Sequence, residues 1–422
     1  MKRTLMIMVL TAAMIALPLF SVQAKVVHLA YVHSGDALQN YLIRKAEEFQ
    51  KKTGIEVEVV VGDQNKLKVM MAGGVEPDAF ELPDFDYLQT QGYYAPIMPL
   101  LERDGLVKAF NPILLDRMTA ADGVLYKVPA GIASVIGFFN RTMFQEAGVA
   151  DPLQLGKNYD WESVITMGKK LTRDLNGDGL MDTYGVDRPW GYWRRAVAQA
   201  GGDFYEYNEI GQPVKSLWNT EPMEQALTFV HRIWAEGITP WQHSAPRPEQ
   251  DFYFWNGGTG IDIVDSTGII GPYLKNVDWD WDMTLLPAGP AGPIASGAGG
   301  YGPMIFASTK NLDATWEWVK FAYMDRDNLR EYMLDVGVIP AYANVQRDYA
   351  QLAGIANKNF NAIFEALNYL PPKSYGVIPA ELAPRSVNVN AALLGQQPVR
   401  QFLEDLHNRM QSIIDDLIKA TP

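Results

Sequence analysis

The chain has no cysteine among its 422 residues. This absence excludes disulfide frameworks, thiolate zinc sites, iron–sulfur clusters and cysteine nucleophiles. It also excludes the lipid anchor of bacterial lipoproteins, which is attached to a cysteine. Histidine is scarce, because five residues are scattered along the chain and no HExxH pattern joins them.

Positive charge is also in short supply, with 36 Lys+Arg against 49 Asp+Glu and a formal charge of −13. Nucleic-acid binders need a basic surface, so this balance argues against them. The sequence contains no GxSxG nucleophile elbow and no P-loop. Pairs of carboxylates such as Asp262/Asp265 or Asp84/Asp86 are the one arrangement that could serve a glycosidase.

One long apolar run is present, at the start of the chain. Lys2 and Arg3 precede the apolar stretch 4–20, and Val22-Gln23-Ala24 supplies small residues for a signal peptidase. The pattern predicts a secretory signal peptide over residues 1–24, since the run is shorter than the ~20 residues that a membrane anchor needs. Its removal changes the charge from −13 to −15 by loss of two basic residues. We expect a periplasmic protein that is exported by a cleaved signal and is not lipidated.

The pattern after the signal is typical of an α/β protein. Residues 25–31 predict a strand, a helix follows from Asp36 to Gly54, and residues 55–59 alternate as a second strand. This βαβ unit favours a parallel sheet. The length favours two domains, and one large α/β unit is the alternative. The Pro/Gly-rich stretch 287–303 predicts a surface connection or hinge without regular structure.

A candidate calcium loop occupies residues 174–182. Oxygen ligands fall at positions 1, 3, 5, 7 and 9 of the EF-hand spacing: Asp174, Asn176, Asp178, the carbonyl of Leu180, and Asp182. Position 12 is Gly185, so the usual bidentate glutamate is missing. The sequence favours a structural calcium ion here, and the alternative is a solvated turn rich in Asp and Asn.

Two loops are crowded with aromatic residues. They are Trp190-Gly191-Tyr192-Trp193 and Trp255-Asn256-Gly257-Gly258. Aromatic rings beside polar side chains suit sugars, because the ring packs on C–H surfaces while polar groups bind hydroxyls. The alternative is that the rings cap the hydrophobic core under a loop. We interpret Trp190 and Trp193 as sugar-binding, and the two alternatives are balanced for Trp255.

Several segments, taken in order, resemble the bacterial extracellular solute-binding proteins of family 1, the maltose-binding-like receptors of ABC importers. The resemblance is carried by residues 45–49 (KAEEF), 71–78 (MAGGVEPD), 123–129 (GVLYKVP), 144–149 (FQEAGV), 285–290 (LLPAGP) and 314–321 (ATWEWVKF). It implies an α/β, two-lobed periplasmic-binding-protein fold with discontinuous lobes and a central ligand cleft. Lobe one would be residues 25–133 and 304–337, and lobe two residues 134–303 and 338–422. Crossings between the lobes are expected near 129–137, 297–304 and 336–341.

The resemblance also implies a set of ligand-binding residues at the strand ends that face the cleft. They are Asp84, Asp86, Ser134, Trp190, Trp193, Asp265, Ser266, Tyr301, Tyr375 and Arg385, with Ala133 beside Ser134 at the first crossing. Tyr192 and Trp255 join the predicted ligand-binding set as members of the two aromatic loops. Thr267-Gly268 stands where many sugar binders have Gly-Trp, so one expected stacking ring is absent.

The function that we predict is a monomeric periplasmic receptor for a mono- or oligosaccharide, which it delivers to an ABC permease by hinge closure. It would need no cofactor and no catalysis. Two alternatives remain at this point. One is the same fold with a non-sugar solute, such as a polyamine, a peptide or a glycerol phosphate. The other is a secreted glycan-active enzyme that uses the acidic pairs.

Overall fold

A computed structural model describes residues 24–31, 35–81, 88, 91–120, 122–208, 212–241, 248–270, 273, 276–294, 299–336, 339–342, 357–371 and 378–420. Residues 1–23, most of the predicted signal peptide, lie outside this set. Within it, no helix has the length and apolar character to cross a membrane.

The described strands and α-helices alternate along much of the chain, as the sequence predicts. The strands are β1 (Lys25–Tyr31), β2 (Glu56–Gly62), β3 (Ala79–Phe80), β4 (Gly131–Ala133), β5 (Gly137–Asn140), β6 (Tyr184–Val186), β7 (Tyr205–Tyr207), β8 (Pro213–Ser216), β9 (Thr259–Asp262), β10 (Trp281–Thr284), β11 (Gly299–Tyr301), β12 (Met304–Ile305) and β13 (Ile339–Pro340). The α-helices are α1 (Gly35–Thr53), α2 (Gln64–Ala72), α3 (Met98–Arg103), α4 (Pro112–Met118), α5 (Arg141–Ala147), α6 (Pro152–Leu155), α7 (Trp161–Leu171), α8 (Trp193–Gln199), α9 (Glu221–Ala235), α10 (Leu312–Tyr323), α11 (Arg326–Val336), α12 (Asn361–Glu365), α13 (Asn390–Leu393) and α14 (Val399–Ala420).

The first sheet has the order β12-β3-β1-β2 and is mostly parallel. The predicted βαβ unit is confirmed, because α1 joins the parallel strands β1 and β2. One face of α1 is apolar at helical spacing, and its Leu38, Leu42 and Phe49 are buried. Burying each such side chain contributes about 1.5–3 kcal/mol, so the amphipathic face fixes the helix on the sheet.

The second sheet has the order β10-β5-β9-β6. Strands β6 and β9 are parallel, and β5 is antiparallel to both β9 and β10. Helix α7 covers this sheet with Val164, Ile165 and Leu171 buried. A capping box between Asp160 and Ser163 satisfies amide groups at the start of α7 and sets where the helix begins.

A third, small sheet has the order β11-β4-β13 and is called the crossing sheet below. Its strands fall inside the three ranges where crossings were predicted, although the assignment of the flanking segments to lobes stays a prediction. The prediction that 287–303 lacks regular structure was wrong at its end, because Gly299–Tyr301 is a strand. A Cβ at Gly300 would lie 2.1 Å from Sδ of Met118, so glycine lets α4 pack tightly on this strand.

We expect Gly185→Ala to destabilise the second sheet. A Cβ at this position in β6 would lie 2.2 Å from the Cα of Gly168 in α7, and neither backbone can move without disturbing its element. The free energy of unfolding should fall by about 1–3 kcal/mol or more, measured by urea denaturation. The control is Gly73→Ala, whose added Cβ meets nothing closer than 3.4 Å. Equal urea midpoints for the two variants would contradict this packing.

Candidate functional site

The crossing sheet brings the carboxyl ends of both larger sheets to one region. Strand β4 leads into β5, where Phe138 pairs with Asp262 at the end of β9. Strand β11 leads into β12, where Met304 pairs with Phe80 at the end of β3. In open α/β sheets, ligands bind outside the carboxyl ends of the strands. The candidate site therefore lies between these two edges.

An arginine and three aspartates meet at the edge of the second sheet. Arg188 Nε donates to Asp187 Oδ2 at 2.9 Å, and its Nη2 donates to Asp265 Oδ2 at 2.7 Å and lies 3.9 Å from Asp262 Oδ2. The Tyr273 hydroxyl lies 3.1 Å from Asp262 Oδ2 and 3.3 Å from Asp265 Oδ2. These five residues are called the Arg188 cluster.

The parallel pairing of β6 and β9 places these residues side by side. Val186 is in register with Ile261, so the residues that follow both strands emerge together. The amide of Asp187 donates to the Ile261 carbonyl at 2.8 Å. The Asp262 carboxylate accepts from the amides of Val264 and Asp265, at 2.7 and 3.1 Å, and so shapes the turn after β9.

Burial makes the carboxylates of the cluster unusual acids. Asp187 and Asp262 have no exposed surface. Burial raises the pKa of Asp187 to about 6, although the Arg188 charge opposes the shift. Burial, together with the neighbouring Asp265 and Asp187, raises the pKa of Asp262 well above its ordinary value. Arg188 hydrogen-bonds two of these three carboxylates, and the charge of Arg195 also acts on Asp262 and Asp265.

Arg188 also has a strained backbone. Its φ of 29° is the one positive φ among the non-glycine residues that the structure describes. Such a conformation costs about 1–3 kcal/mol and persists where the surroundings hold it. The two bonded aspartates and the aromatic rings described next hold this side chain, and strain of this kind clusters at functional sites.

An aromatic wall adjoins the cluster and consists of Trp190, Trp241, Tyr253 and Trp255. Cζ of Arg188 lies 4.4 Å from the ring centroid of Trp255 and 5.4 Å from that of Tyr253. Ring centroids are 4.9 Å apart for Tyr253 and Trp255, 6.3 Å for Trp190 and Tyr253, and 5.4 Å for Trp190 and Trp241. Trp255 is 37% exposed, so the wall offers aromatic surface to a ligand.

Several predicted site residues come together here. Trp190 and Trp255 belong to the wall and Asp265 to the cluster. Ser266 pairs with Val135 by an isolated bridge, and the neighbouring Thr267 amide donates to the Ser134 carbonyl at 2.9 Å. The Ser134 hydroxyl is buried and has no hydrogen-bond partner within the described part of the chain. It is therefore a free polar group beside the crossing sheet.

The structure puts Tyr192 and Trp193 in the core instead of the cleft. Tyr192 is fully buried and donates its hydroxyl to Gln199 Oε1 at 2.6 Å. Trp193 is 2% exposed and packs against Phe204 and Trp218, with centroids 5.9 and 5.7 Å apart. Helix α8 begins at Trp193 and turns both side chains inward, so neither ring has a face for a sugar in this structure.

The opposite edge, at the end of β3, is described in part. The Glu81 amide donates to the Leu29 carbonyl of β1 at 3.3 Å. Burial raises the pKa of Glu81 to about 7, and the positive charge of Lys127 opposes this shift. Asp84 and Asp86 follow Glu81 in the chain and lie outside the described residues.

The remaining ligand predictions are not resolved by these contacts. Tyr375 lies outside the described residues. Tyr301 pairs with Gly131 in the crossing sheet. Arg385 is exposed in the turn Pro384–Ser386. Their roles stay predictions.

Sequence reasoning missed several members of the site, namely Asp187, Arg188, Trp241, Tyr253 and Tyr273. Two signals could have indicated part of the cluster. Asp262 is a charged residue at the end of the buried strand Thr259–Asp262, and Asp187-Arg188 directly follows the strand Tyr184–Val186. Buried charges need partners, so each signal predicts a polar contact without naming the other member.

The predicted calcium loop is built on hydrogen bonds of its own. The Asp174 carboxylate accepts from the amides of Gly177 and Gly179, at 2.6 and 2.8 Å, and these bonds lower the pKa of Asp174. Asp182 Oδ2 accepts from the Leu175 amide at 2.8 Å. In the described segments, no group of three His, Asp or Glu side chains is placed to hold a metal. Calcium binding stays a prediction.

Comparisons with known proteins cover most of the chain. The family model described as "Bacterial extracellular solute-binding protein" matches residues 35–327. The maltotriose-binding protein of Pyrococcus abyssi is 26% identical over 300 residues, which are 68% of this chain and 59% of that protein. An arabinooligosaccharide-binding protein of Halalkalibacterium halodurans is 23% identical over 267 residues, 61% of this chain and 57% of that protein. The matches thus span less than two thirds of these relatives.

Solved structures support the same architecture. An ABC substrate-binding protein of Listeria monocytogenes, in complex with cycloalternan, matches with a TM-score of 0.70 and 20% identity, covering 93% of this chain and 99% of that one. UgpB from Mycobacterium tuberculosis, in complex with glycerophosphocholine, matches with a TM-score of 0.70 and 17% identity, covering 93% and 98%. At these identities the likeness shows the fold, which is two-lobed and α/β.

If the 174–182 loop binds calcium, the ion should stabilise the native protein, because a ligand that binds only the folded state raises its melting temperature. We expect millimolar Ca²⁺ to raise the Tm of chelator-treated protein by about 2–4 °C. Asp174→Ala should abolish the increase. An equal increase in this variant would place the ion elsewhere.

Asp187 should give the protein an unusual pH dependence. Its pKa is raised on folding to about 6, so the native state holds the proton more tightly than the unfolded chain. The stabilisation is therefore present at low pH and is lost as the pH rises through about 6. Between pH 4 and 7.5, the wild type should lose about 2 kcal/mol of unfolding free energy relative to Asp187→Asn.

Urea denaturation of both proteins at several pH values measures this difference, and other titrating groups largely cancel in the comparison. The matched control is Asp313→Asn, whose side chain is 86% exposed. Parallel stability curves for the wild type and Asp187→Asn would contradict the buried carboxylate.

Proposed function

The chain belongs to the bacterial extracellular solute-binding proteins, and on this basis we propose that it is an exported receptor that captures a mono- or oligosaccharide and delivers it to an ABC permease. One observation carries the choice of a sugar. The aromatic wall and the Arg188 cluster lie together at the carboxyl edge of the second sheet, next to the crossing sheet. This pairing of ring surface with fixed polar groups suits a polyhydroxylated ligand.

A sugar ring would pack its C–H face on the exposed part of Trp255 and on Trp190. The Arg188 side chain is 17% exposed, and its described hydrogen bonds use Nε and Nη2, so Nη1 remains available to a ligand hydroxyl. Asp265 is 22% exposed and bonds Arg188 through Oδ2, so Oδ1 remains as an acceptor. Both groups are held before the ligand arrives, which reduces the entropy cost of binding.

Closure would occur about the crossing sheet. Its strands have two or three residues each, so few backbone bonds oppose a small rotation of one larger sheet relative to the other. The closed form is favoured only when the ligand contacts both edges, because a ligand shifts an equilibrium by its differential affinity for the two states. Asp84 and Asp86 are the residues that we propose for the opposite edge.

A catalytic role for the acidic pairs is not part of this proposal. Asp262 is fully buried, and its oxygens accept from Tyr273 and from the backbone of the following turn. Asp265 holds Arg188. A glycosidase needs one carboxyl group free to give a proton and another free to attack or to activate water. The contacts therefore support a binding site.

We propose that the protein acts as a periplasmic monomer. The first 24 residues have the pattern of a cleaved export signal, and the chain has no cysteine for lipid attachment. A related maltooligosaccharide-binding protein of Streptococcus pneumoniae is a lipoprotein, so the two would differ in how they are retained. The permease would meet the closed form of the receptor.

The ligand class can be tested by thermal shift with neutral oligosaccharides, polyamines and glycerol phosphates. We expect neutral oligosaccharides to raise the Tm and the polyamines and glycerol phosphates to leave it unchanged. Only a ligand that binds the native state raises the Tm. Chromatography of the incubated sugar should show no product. A Tm increase with polyamine or glycerol phosphate alone, or turnover of the sugar, would overturn the proposal.

Substitutions of the tryptophans should separate binding from folding. Trp190→Ala and Trp255→Ala should each weaken the sugar affinity about tenfold, because stacking on one ring contributes about 1–1.5 kcal/mol. Trp193→Ala should instead lower the unfolding free energy by about 3–5 kcal/mol, because its ring is buried. Isothermal titration calorimetry and urea denaturation measure the two effects. Unchanged affinity in both wall variants would contradict the wall as the sugar site.

A further inference from the structure

A second concave site lies on the helices that cover the second sheet. This pocket of about 520 Å³, called the outer pocket below, is formed by the start of α7, the length of α9, the loop at Pro290 and the start of α14. It shares no lining residue with the Arg188 cluster or the aromatic wall. The proposed receptor function therefore leaves it unexplained.

The floor of the outer pocket is a fixed aromatic platform. Trp161 stacks on Phe229 with ring centroids 4.5 Å apart and planes 3° apart. The indole Nε1 of Trp161 donates to Oε1 of the buried Gln199 at 3.0 Å. The stacking fixes the plane of the ring and the hydrogen bond fixes its direction. A ligand would meet a platform whose conformational entropy is already lost.

Most of the charged groups around the platform form ion pairs with one another. Arg232 forms a bidentate pair with Glu162, in which Nη2 lies 3.0 Å from Oε2. Arg400 donates to Glu224 Oε2 from Nε and Nη2, at 3.1 and 2.9 Å. With Glu221, three carboxylates face two guanidinium groups.

This charge distribution selects among ligand classes. One surplus negative charge disfavours a phosphate or a carboxylate ligand. The paired carboxylates attract a polycation only weakly, because arginines already neutralise their charge. Oxygen acceptors and N–H donors that alternate around an aromatic floor match the hydroxyl groups of an uncharged sugar.

We propose that the outer pocket is a second binding site for a neutral saccharide unit, which stacks on the Trp161 platform and bonds its hydroxyls to Glu221 and Arg400. The inference extends the proposed function and shares its ligand class, although it rests on different residues. Gln199 Oε1 also accepts from the Tyr192 hydroxyl, and Tyr192 follows the turn that carries Trp190.

The test follows the indole N–H signals of the tryptophans in ¹⁵N-labelled protein by NMR, with maltotriose, cellotriose, spermidine and glycerol phosphate as probes. Loss of a signal in Trp161→Phe or in Trp190→Phe identifies each reporter. We expect one or both trisaccharides at millimolar concentration to shift the Trp161 signal, and the two charged probes to leave it in place. Trp190→Ala should leave the Trp161 response unchanged.

Variants of Glu221 and Arg400, at the rim of the outer pocket, test where the saccharide binds and leave the Trp161 platform unaltered. Glu221→Gln and Arg400→Gln should each weaken the saccharide affinity reported by Trp161 by about three- to tenfold, the loss of one or two hydrogen bonds. The matched control is Arg409→Gln on the same helix, outside the pocket, which should have no effect. Equal affinity in Arg400→Gln and Arg409→Gln would overturn the assignment of this site.

The outcomes separate the two proposals. If a sugar moves the Trp190 signal and no trisaccharide moves the Trp161 signal, the receptor function stands and the outer pocket proposal fails. If a trisaccharide moves the Trp161 signal and leaves Trp190 in place, the outer pocket is supported, whatever the cleft binds. A Trp161 response confined to spermidine or glycerol phosphate overturns the ligand class.

Discussion

The pairing of three short strands in the crossing sheet is the constraint on which the rest of the structure depends. Residues from three distant parts of the chain, 131–133, 299–301 and 339–340, hydrogen-bond side by side. Strands β4 and β11 lead into β5 and β12 of the larger sheets, beside the ends of β9 and β3, so these two edges meet at one place. Gly300 permits the close packing of α4 on this sheet.

The Arg188 cluster shows how buried charges are stabilised in this site. Removing carboxylates from water is costly, and the cost is met only by close partners. Arg188 hydrogen-bonds two of the aspartates, and Tyr273 hydrogen-bonds the third. The backbone of Arg188 has an unfavourable φ in the conformation that makes these contacts. The same contacts hold a guanidinium over Trp255. Stability and the proposed ligand recognition thus depend on the same few bonds, and the raised pKa of Asp187 depends on the burial that these bonds maintain.

Much of the fold could be predicted from local patterns. The helix after Asp36, the alternating strand that follows it and the amphipathic helices of the second half depend on short-range periodicity and on caps, which the sequence contains. The site could be predicted in part. Trp190, Trp255 and Asp265 lie where an aromatic loop or a strand end was recognised. Trp193 has the same local signature as Trp190, yet one ring faces the site and the other the core, because a helix begins between them and rotates successive side chains apart.

The sequence by itself determined the class of the protein: its lack of cysteine, its acidic balance, its predicted export signal and the order of its family-like segments need no coordinates. The α/β character follows for the same reason, since periodicity and composition are properties of neighbouring residues. Only the tertiary structure decided which charged side chains share a site. Asp187 and Asp262 are distant in the chain, and the parallel register of β6 and β9 makes them neighbours. It also decided that residues of α7, α9 and α14 enclose the outer pocket, since no local pattern encodes a surface formed by three separated helices.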